Sequence, residues 1–526
     1  MNRLPTSYRY PSVRLQQEQR EFHAEYSYQA ALQAVEGYAN DMYANTAERE
    51  LLIDSAHRVR DYMNVFAGNV MPKEALDIGM LYVIDRDADK SDMHSQRAAT
   101  ARTEYLTAPH TRPGLEAYMP AILNDMRYID AYAQHYTHDE VYIQHTNGNG
   151  DAWNKAAAPA RIEDMAEVAD RVNIESVLLK SVVCLDALVA GGRQVVLQGA
   201  MRPGEDTAAL NNVIEAETFY GPICEVLGFD GLAMELRSQA KQLRFVQQGN
   251  TETVLRAHEY LHSIQGAGAR EFFACLVDDE EHMALSSAVN PPQYLAQGEI
   301  PYESVQLGEF ALDLGDDRPI VGNWREKSVG SLVDKLLRDS QYTGEAPMDI
   351  FGGTVISETI EDMAIDFTRL VQRARESDML QLQKAPSKEK AIIVQGDDEY
   401  TAQVCKYLSP EFIDENVQII PKDGFRVAKF TCLTYDSQLP VELQFLTKQD
   451  RQDARRGETA HILYKFETDG NFYSKEQRKA AAKLLEGLYR RKRHMIDHVG
   501  ELSANPDSII RSQRDAQTWY MIDSLQ

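Results

Sequence analysis

The sequence is short of cysteine, of positive charge and of long apolar runs. Five cysteines occur among 526 residues, at 184, 224, 275, 405 and 432, and no two form a CxxC pair. That spacing excludes a disulfide framework or a zinc ribbon and fits thiols kept reduced. Lysine and arginine number 55 against 81 aspartates and glutamates, a formal net charge of −26. A field of that sign repels nucleic acid and excludes broad non-specific DNA or RNA binding. If so acidic a protein handles anionic nucleotides, it must gather its cations locally. No apolar run reaches the roughly 18 residues a membrane span needs, so no membrane partner is expected. The opening stretch MNRLPTSYRYPSVRLQQEQREF has no apolar core and no small-residue cleavage site. It does not read as a secretory signal, and a cytoplasmic protein is expected.

The hydrophobic fraction of 43% and charged fraction of 26% are those of a globular protein. The length suits about three domains, each with its own core. Residues 1 to about 310 read mostly as helix. IESVLLKSVVCLDALVAGG (174–192) is apolar nearly all round and predicts a buried helix stopped by Gly-Gly. The stretch 215–246 predicts helix interrupted at Gly221-Pro222 and again near Gly228. Breakers cluster at 288–323, where a boundary is expected. Beyond it the strand-like segments GEFALDL, GGTVIS, KAIIVQG, NVQIIP, VAKFTCLTY and VELQFLT alternate with helical ones, which predicts a mixed α/β domain. The last 55 or so residues return to charged helix.

The cations gather in GNWREKSVGSLVDKLL (322–337). On a helix Lys327, Ser331 and Lys335 fall at i, i+4 and i+8, within about 80° of one another. Val329, Leu332, Val333 and Leu336 would form the opposite stripe, with Arg325 just before the helix. Two lysines, a hydroxyl and a helix N-terminus make a polyphosphate cradle, or a solvated basic face. Asp349 precedes a Gly-Gly turn, where it suits either a Mg²⁺ ligand or an ordinary turn. In PKDGFRVAKF (421–430), Lys422, Arg426 and Lys429 flank Phe425, a ring fit to stack on a purine or to close a hairpin. VELQFLT (441–447) puts Glu442 and Gln444 on one face of a strand, with Val441, Leu443 and Phe445 on the other.

Together these segments resemble the synthetase domain of the RelA/SpoT alarmone family. Arg325, Lys327, Ser331 and Lys335 fill its R-x-K-x-x-x-S-x-x-x-K motif. DIFGGTVI matches its aspartate–turn–strand element at Asp349. PKDGFRVAK looks like its PK-x-GY-x-S-x-H element and VELQFLT like its E-x-Q-I-R-T strand. ARRGETAHILYK, with His461, looks like its trailing A-E-x-G-x-A-A-H-W-x-Y-K. The resemblance spans roughly 50–470. It implies a multidomain chain: a helical extension (1–45), an all-α HD-hydrolase-like domain (46–200), a helical connector (201–310), an α+β nucleotidyltransferase-like synthetase domain with a mixed sheet (311–470), and C-terminal helices (471–526). It further implies Mg²⁺-dependent transfer of pyrophosphate from ATP to the 3′-hydroxyl of GDP or GTP, which yields (p)ppGpp, the stringent-response alarmone. By that resemblance Arg325, Lys327, Ser331 and Lys335 hold ATP, and Asp349 and Glu442 act in catalysis and on the metal. Lys422, Phe425, Lys429, Gln444 and His461 then meet the guanine nucleotide.

The departures are as specific as the matches. The family's arginine after the aspartate motif falls on Thr354, its histidine on Lys429, its strand arginine on Leu446 and its tyrosine on Phe425. At least one cation expected near ATP is missing. In the hydrolase-like half, Tyr82-Val83 replaces the His-Asp pair, Val183 replaces the distal acid, and His57 reads as structural. That half is expected to be an inert pseudo-hydrolase. No ribosome-sensing regulatory domain is evident, the basic run 490–493 reads as a solvated helix face, and a homo-oligomer is left open. Two other functions fit the same residues: a catalytically dead nucleotide-binding regulator, or a pyrophosphotransferase acting on the 3′-hydroxyl of an adenine nucleotide or tRNA.

Overall fold

The structure, a computed structural model, describes residues 13–67, 73–88, 91–107, 119, 122–129, 165, 167–168, 171–172, 174–198, 207–264, 267–277, 283–287, 307–315, 318–338, 350–376, 381–382, 390, 392–422, 425–434, 439–456, 476, 478–487 and 489–490. The chain divides into two compact units, Met1–Arg127 and Tyr128–Gln526. Among the described residues no helix is long and apolar enough to cross a membrane.

In the first unit α1 (Val13–Met42), α2 (Thr46–Ala67), α3 (Lys73–Ala88) and α4 (Asp92–Leu106) pack together. The middle of α3 is buried continuously from residue 76 to 85, including Tyr82 and Val83. Its two buried carboxylates are neutralised within the bundle. Asp77 accepts hydrogen bonds from Ser27 at 2.6 Å and from Arg60 at 3.2 Å, and Asp85 is ion-paired with Arg102. His57 Nδ1 lies 3.3 Å from the Tyr28 hydroxyl.

The described elements of the second unit include α5 (Ile174–Gln198) and α6 (Thr207–Glu215). The expected stop at Gly191-Gly192 does not occur, and α5 runs on to Gln198. Glycine weakens a helix by about 1 kcal/mol but ends it only where the chain turns left-handed. Nor does the chain break at Gly221-Pro222. A π-turn, Ala216–Tyr220, leads directly into α7 (Gly221–Val226), with Pro222 in the first turn where its missing N–H is harmless. The expected break at Gly228 is present, at a φ of 75°. There follow α8 (Asp230–Gln247), α9 (Thr251–Ile264) and α10 (Ala267–Ala274).

Among the described residues the rest is built on one mixed sheet of nine strands, an α+β arrangement. They are β1 (Met283–Ser287), β2 (Leu307–Leu312), β3 (Ile320–Glu326), β4 (Phe351–Ser357), β5 (Gln381–Leu382), β6 (Ile392–Gly396), β7 (Val417–Pro421), β8 (Val427–Leu433) and β9 (Pro440–Thr447). The helices between and after them are α11 (Val329–Arg338), α12 (Ile360–Glu376), α13 (Asp398–Val404), α14 (Pro410–Asn416) and α15 (Lys448–Arg456). The spatial order is β1-β2-β3-β4-β9-β8-β6-β7, with β5 on β8. Among the described pairings, β4–β9 and β6–β7 are parallel and the others antiparallel.

Every strand-like segment named from the sequence forms a strand. The helix expected to carry Lys327, Ser331 and Lys335, with Arg325 just before it, is shorter than that, because the residues up to Glu326 form a strand. Ile320, Gly322, Trp324 and Glu326 point inward and alternate with more exposed neighbours, a period-2 pattern that makes β3. Arg325 therefore stands on a strand, Lys327 lies in the link, and α11 starts only at Val329. Ser328 caps it, accepting from Ser331 N at 3.3 Å. Lys327 thus shares no helix face with Ser331 and Lys335.

One face of the sheet is apolar. Phe310, Trp324, Phe351, Val355, Leu443 and Phe445 belong to a core that includes Phe272 and Phe273 of α10 and Phe367 and Leu370 of α12. A Cβ on Gly353 would come to 2.5 Å from Leu443 Cδ1, so a larger residue there would push the Leu443 side chain aside. The opposite face carries the site.

Candidate functional site

Strand alternation and register place the polar side chains in two rows across the sheet. Arg325 pairs with Gly352, Gly352 with Glu442, and Glu442 with Thr431. One pleat along, Glu309 pairs with Asn323, Asn323 with Thr354, Thr354 with Gln444, and Gln444 with Lys429. Arg325, Gly352, Glu442, Asn323, Thr354 and Gln444 of these rows line a cavity of about 390 Å³, together with residues of α7, α8, α11 and α15 and of the link between β3 and α11.

Of the residues singled out from sequence, Arg325, Lys327, Ser331, Glu442 and Gln444 all line that cavity. Thr354 and Leu446, two positions where the resemblance expects arginine, line it too. Lys327 is fixed by its main chain, whose N–H donates to Ile350 O at 2.7 Å. Ser331 Oγ lies 2.9 Å from Ser328 Oγ in the first turn of α11. That helix is seated against α8, where Gly330 N donates to Ser238 Oγ at 3.3 Å and Lys241 pairs with Asp334 at 2.9 Å. A Cβ on Gly330 would come 2.5 Å from Ser238 O, so only glycine allows the approach.

Glu442 is engaged on both oxygens. Lys429 Nζ lies 2.9 Å from Oε2, and Gln444 Nε2 donates to Oε1 at 2.8 Å. Lys429, placed in sequence on the guanine-nucleotide side, is therefore bonded to the carboxylate of the cavity floor.

Lys335, Lys422 and Phe425 do not line the cavity. Lys335 is a full turn beyond Ser331 on α11. Lys422 follows β7, its N–H donating to Gly396 O at 3.0 Å. Phe425 leads into β8, its carbonyl accepting from Gln395 Nε2 at 3.4 Å. Asp349 and His461 lie outside the described residues.

Sequence reasoning missed several lining residues. Glu225 on α7 and Arg237 on α8 form an ion pair at the cavity wall. The Arg237 stem crosses Gly221, where a Cβ would meet Arg237 Cγ at 3.2 Å. Arg451 on α15 reaches back over the sheet, and its Nη1 donates to Asn323 Oδ1 at 3.0 Å. Beside Asn323, burial pushes the Glu309 carboxyl up to about 7, against the pull of the Arg451 guanidinium. The only signal for Arg451 in the sequence is that its helix directly follows the strand bearing Glu442.

The cavity thus combines four cations (Arg237, Arg325, Lys327 and Arg451) with four carboxylates (Glu225, Asp230, Glu326 and Glu442) and the hydroxyls of Ser328, Ser331 and Thr354; its arginines and lysine are groups that bind phosphate oxygens. Among the described residues there is no cluster of three or more metal-ligating side chains. Glu442 is the carboxylate of the floor, and its lysine partner stands where a cation would bind it. Of the two expected Mg²⁺ ligands, Glu442 is bound to Lys429, and Asp349 lies outside the described residues. No model of a known protein family matches the chain, and no curated protein matches it in sequence.

Proposed function

We propose that the cavity binds nucleotide phosphates and that the protein transfers a pyrophosphoryl group from ATP to the 3′-hydroxyl of GDP or GTP, as RelA/SpoT-type synthetases do. The observation that carries this reading is convergence. Arg325, Lys327 and Ser331 come from one stretch and Glu442 and Gln444 from another more than a hundred residues later, yet all line one cavity. Such transfer is mainly positioning and charge neutralisation. Arg325 and Lys327 meet the phosphate oxygens and Ser331 donates to them. Glu442 accepts the proton of the 3′-hydroxyl as its oxygen bonds the β-phosphorus of ATP and AMP departs. Mg²⁺ enters as part of the MgATP substrate. Substrates of this kind make the cytoplasm its place of action.

A second reading is favoured by the double engagement of Glu442. A carboxylate held by Lys429 and Gln444 suits a nucleotide-binding regulator without transfer activity. Incubating the purified protein with labelled ATP, Mg²⁺ and GDP or GTP separates the two. Labelled guanosine tetra- or pentaphosphate, lost in Glu442→Gln while nucleotide binding persists, is the expected result. Tight binding with no transfer in the wild-type chain would leave the regulator.

A further inference from the structure

A chain of buried hydrogen bonds ends on the helix that carries Ser331. Helices α8, α9 and α11 pack on one another. His258 on α9 is 2% exposed, and Gln242 and Ser238 on α8 are 4% and 1% exposed, so all three are withdrawn from solvent. His258 Nε2 lies 2.7 Å from Gln242 Oε1. Gln242 Nε2 donates to Ser238 Oγ at 3.1 Å, and Gly330 N donates to the same hydroxyl at 3.3 Å. An amide oxygen only accepts, so the histidine proton sits on Nε2. Its Nδ1 is buried with no hydrogen-bond partner among the described residues, and burial lowers the ring to about 4, which keeps it neutral. Donation therefore runs one way, from the ring through the amide to Ser238. Three buried polar side chains carry a desolvation cost that apolar residues of similar size would avoid. What they secure is the N–H of Gly330, the second residue of α11.

Ser331 is the next residue. Its N–H donates to Ser328 Oγ at 3.3 Å, and its Oγ accepts from Ser328 Oγ at 2.9 Å. The Gly330 and Ser331 N–H groups are thus both taken by hydroxyls of the protein. What α11 offers at the cavity wall is the Ser331 side chain rather than these main-chain donors.

We propose that His258, Gln242 and Ser238 are positioning residues of the cavity, which fix the first turn of α11 and so the place at which Ser331 meets a phosphate oxygen of a nucleoside polyphosphate. The inference rests on the phosphate-binding half of the proposed function and not on transfer.

The test is titration calorimetry of the full chain with inorganic tripolyphosphate and with ATP, with urea unfolding of every variant alongside. It compares wild type, Gln242→Leu, Ser238→Ala, His258→Leu, His258→Gln, Ser331→Ala, the Gln242→Leu/Ser331→Ala double variant and Arg256→Gln, an exposed change on α9. Loss of one hydrogen bond's worth of positioning weakens binding about fivefold in Gln242→Leu, Ser238→Ala and His258→Leu. His258→Gln keeps a donor for Gln242 and binds close to wild type, as does Arg256→Gln. In the Ser331→Ala background Gln242→Leu weakens binding by no more than about twofold, although it lowers stability by as much as it does alone. A purely structural role would lower stability in the same variants and leave binding unchanged, or weaken binding equally in both backgrounds, and either result overturns the relay. Equal weakening by His258→Gln and His258→Leu overturns it too. Ser238→Ala, the smallest change, decides the matter if Gln242→Leu does not fold. Absence of tripolyphosphate binding by wild type sinks the phosphate-binding reading together with the relay. Wild-type binding that Gln242→Leu and Ser238→Ala leave unchanged sinks the relay alone.

Discussion

Lys429 and Glu442 sit diagonally across β8 and β9, because Lys429 pairs in register with Gln444 and Glu442 with Thr431. The diagonal is short enough for a 2.9 Å contact between the ammonium and the carboxylate. Glu309 is the opposite case. Its Oε1 is buried and has no hydrogen-bond partner among the described residues. Burial raises the carboxyl from 4.5 to about 7, with Arg451 opposing. A raised carboxyl favours the folded state while protonated, and that contribution is lost as pH rises from about 4.5 through about 7. Glu309→Gln mimics the neutral form beside Asn323 and Arg451. Thermal unfolding is expected to show the variant more stable than wild type at pH 8 and nearly equal at pH 5. A constant difference across that range would refute the assignment.

At the scale of elements, glycine positions separate packing from chemistry. A Cβ on Gly322 would overlap Thr354 O and come 2.5 Å from Phe310 Cζ, whereas on Gly352 its nearest neighbour is the Arg325 stem at 3.8 Å. Urea unfolding should show Gly322→Ala destabilised by about 1–3 kcal/mol, with Gly352→Ala affected much less. Equal losses would mean that β3 and β4 do not approach as described. The strands carrying β-branched runs were legible in the sequence, since their alternation is local. β3 was not, because the spacing of Lys327, Ser331 and Lys335 also fits a helix, and only the partners β2 and β4 decide between periods. The polar face of β9 was legible from Glu442 and Gln444. The Lys429 contact was not, since strand register is not written in either strand alone. Arg451 was hidden for a similar reason: KQDRQDARR reads as a charged solvated helix until the helix is seen to turn back over the sheet.

Across the whole molecule, a net charge of −26 opposes the approach of anions, and the cavity sets Arg237, Arg325, Lys327 and Arg451 against an equal number of carboxylates. Every lining residue falls between Glu225 and Arg451, inside the second unit. A chain of residues 128–526 alone is therefore expected to bind tripolyphosphate within about threefold of the full chain, as a unit with its own core should. Loss of binding in a fragment that still unfolds cooperatively would show that the first unit is needed to form the cavity.

The parallel pairing of β4 with β9 joins Phe351 to Val441, ninety positions further along the chain. During synthesis, β4 emerges with one edge lacking its neighbour, and the floor of the cavity exists only once β9 has left the ribosome and found its register. Contacts of such sequence separation are slow to form, and an open strand edge meanwhile invites pairing with other chains. The nascent polypeptide is consequently exposed to mispairing throughout the making of β5 to β8, and it gains a ligand's protection only after that interval has closed.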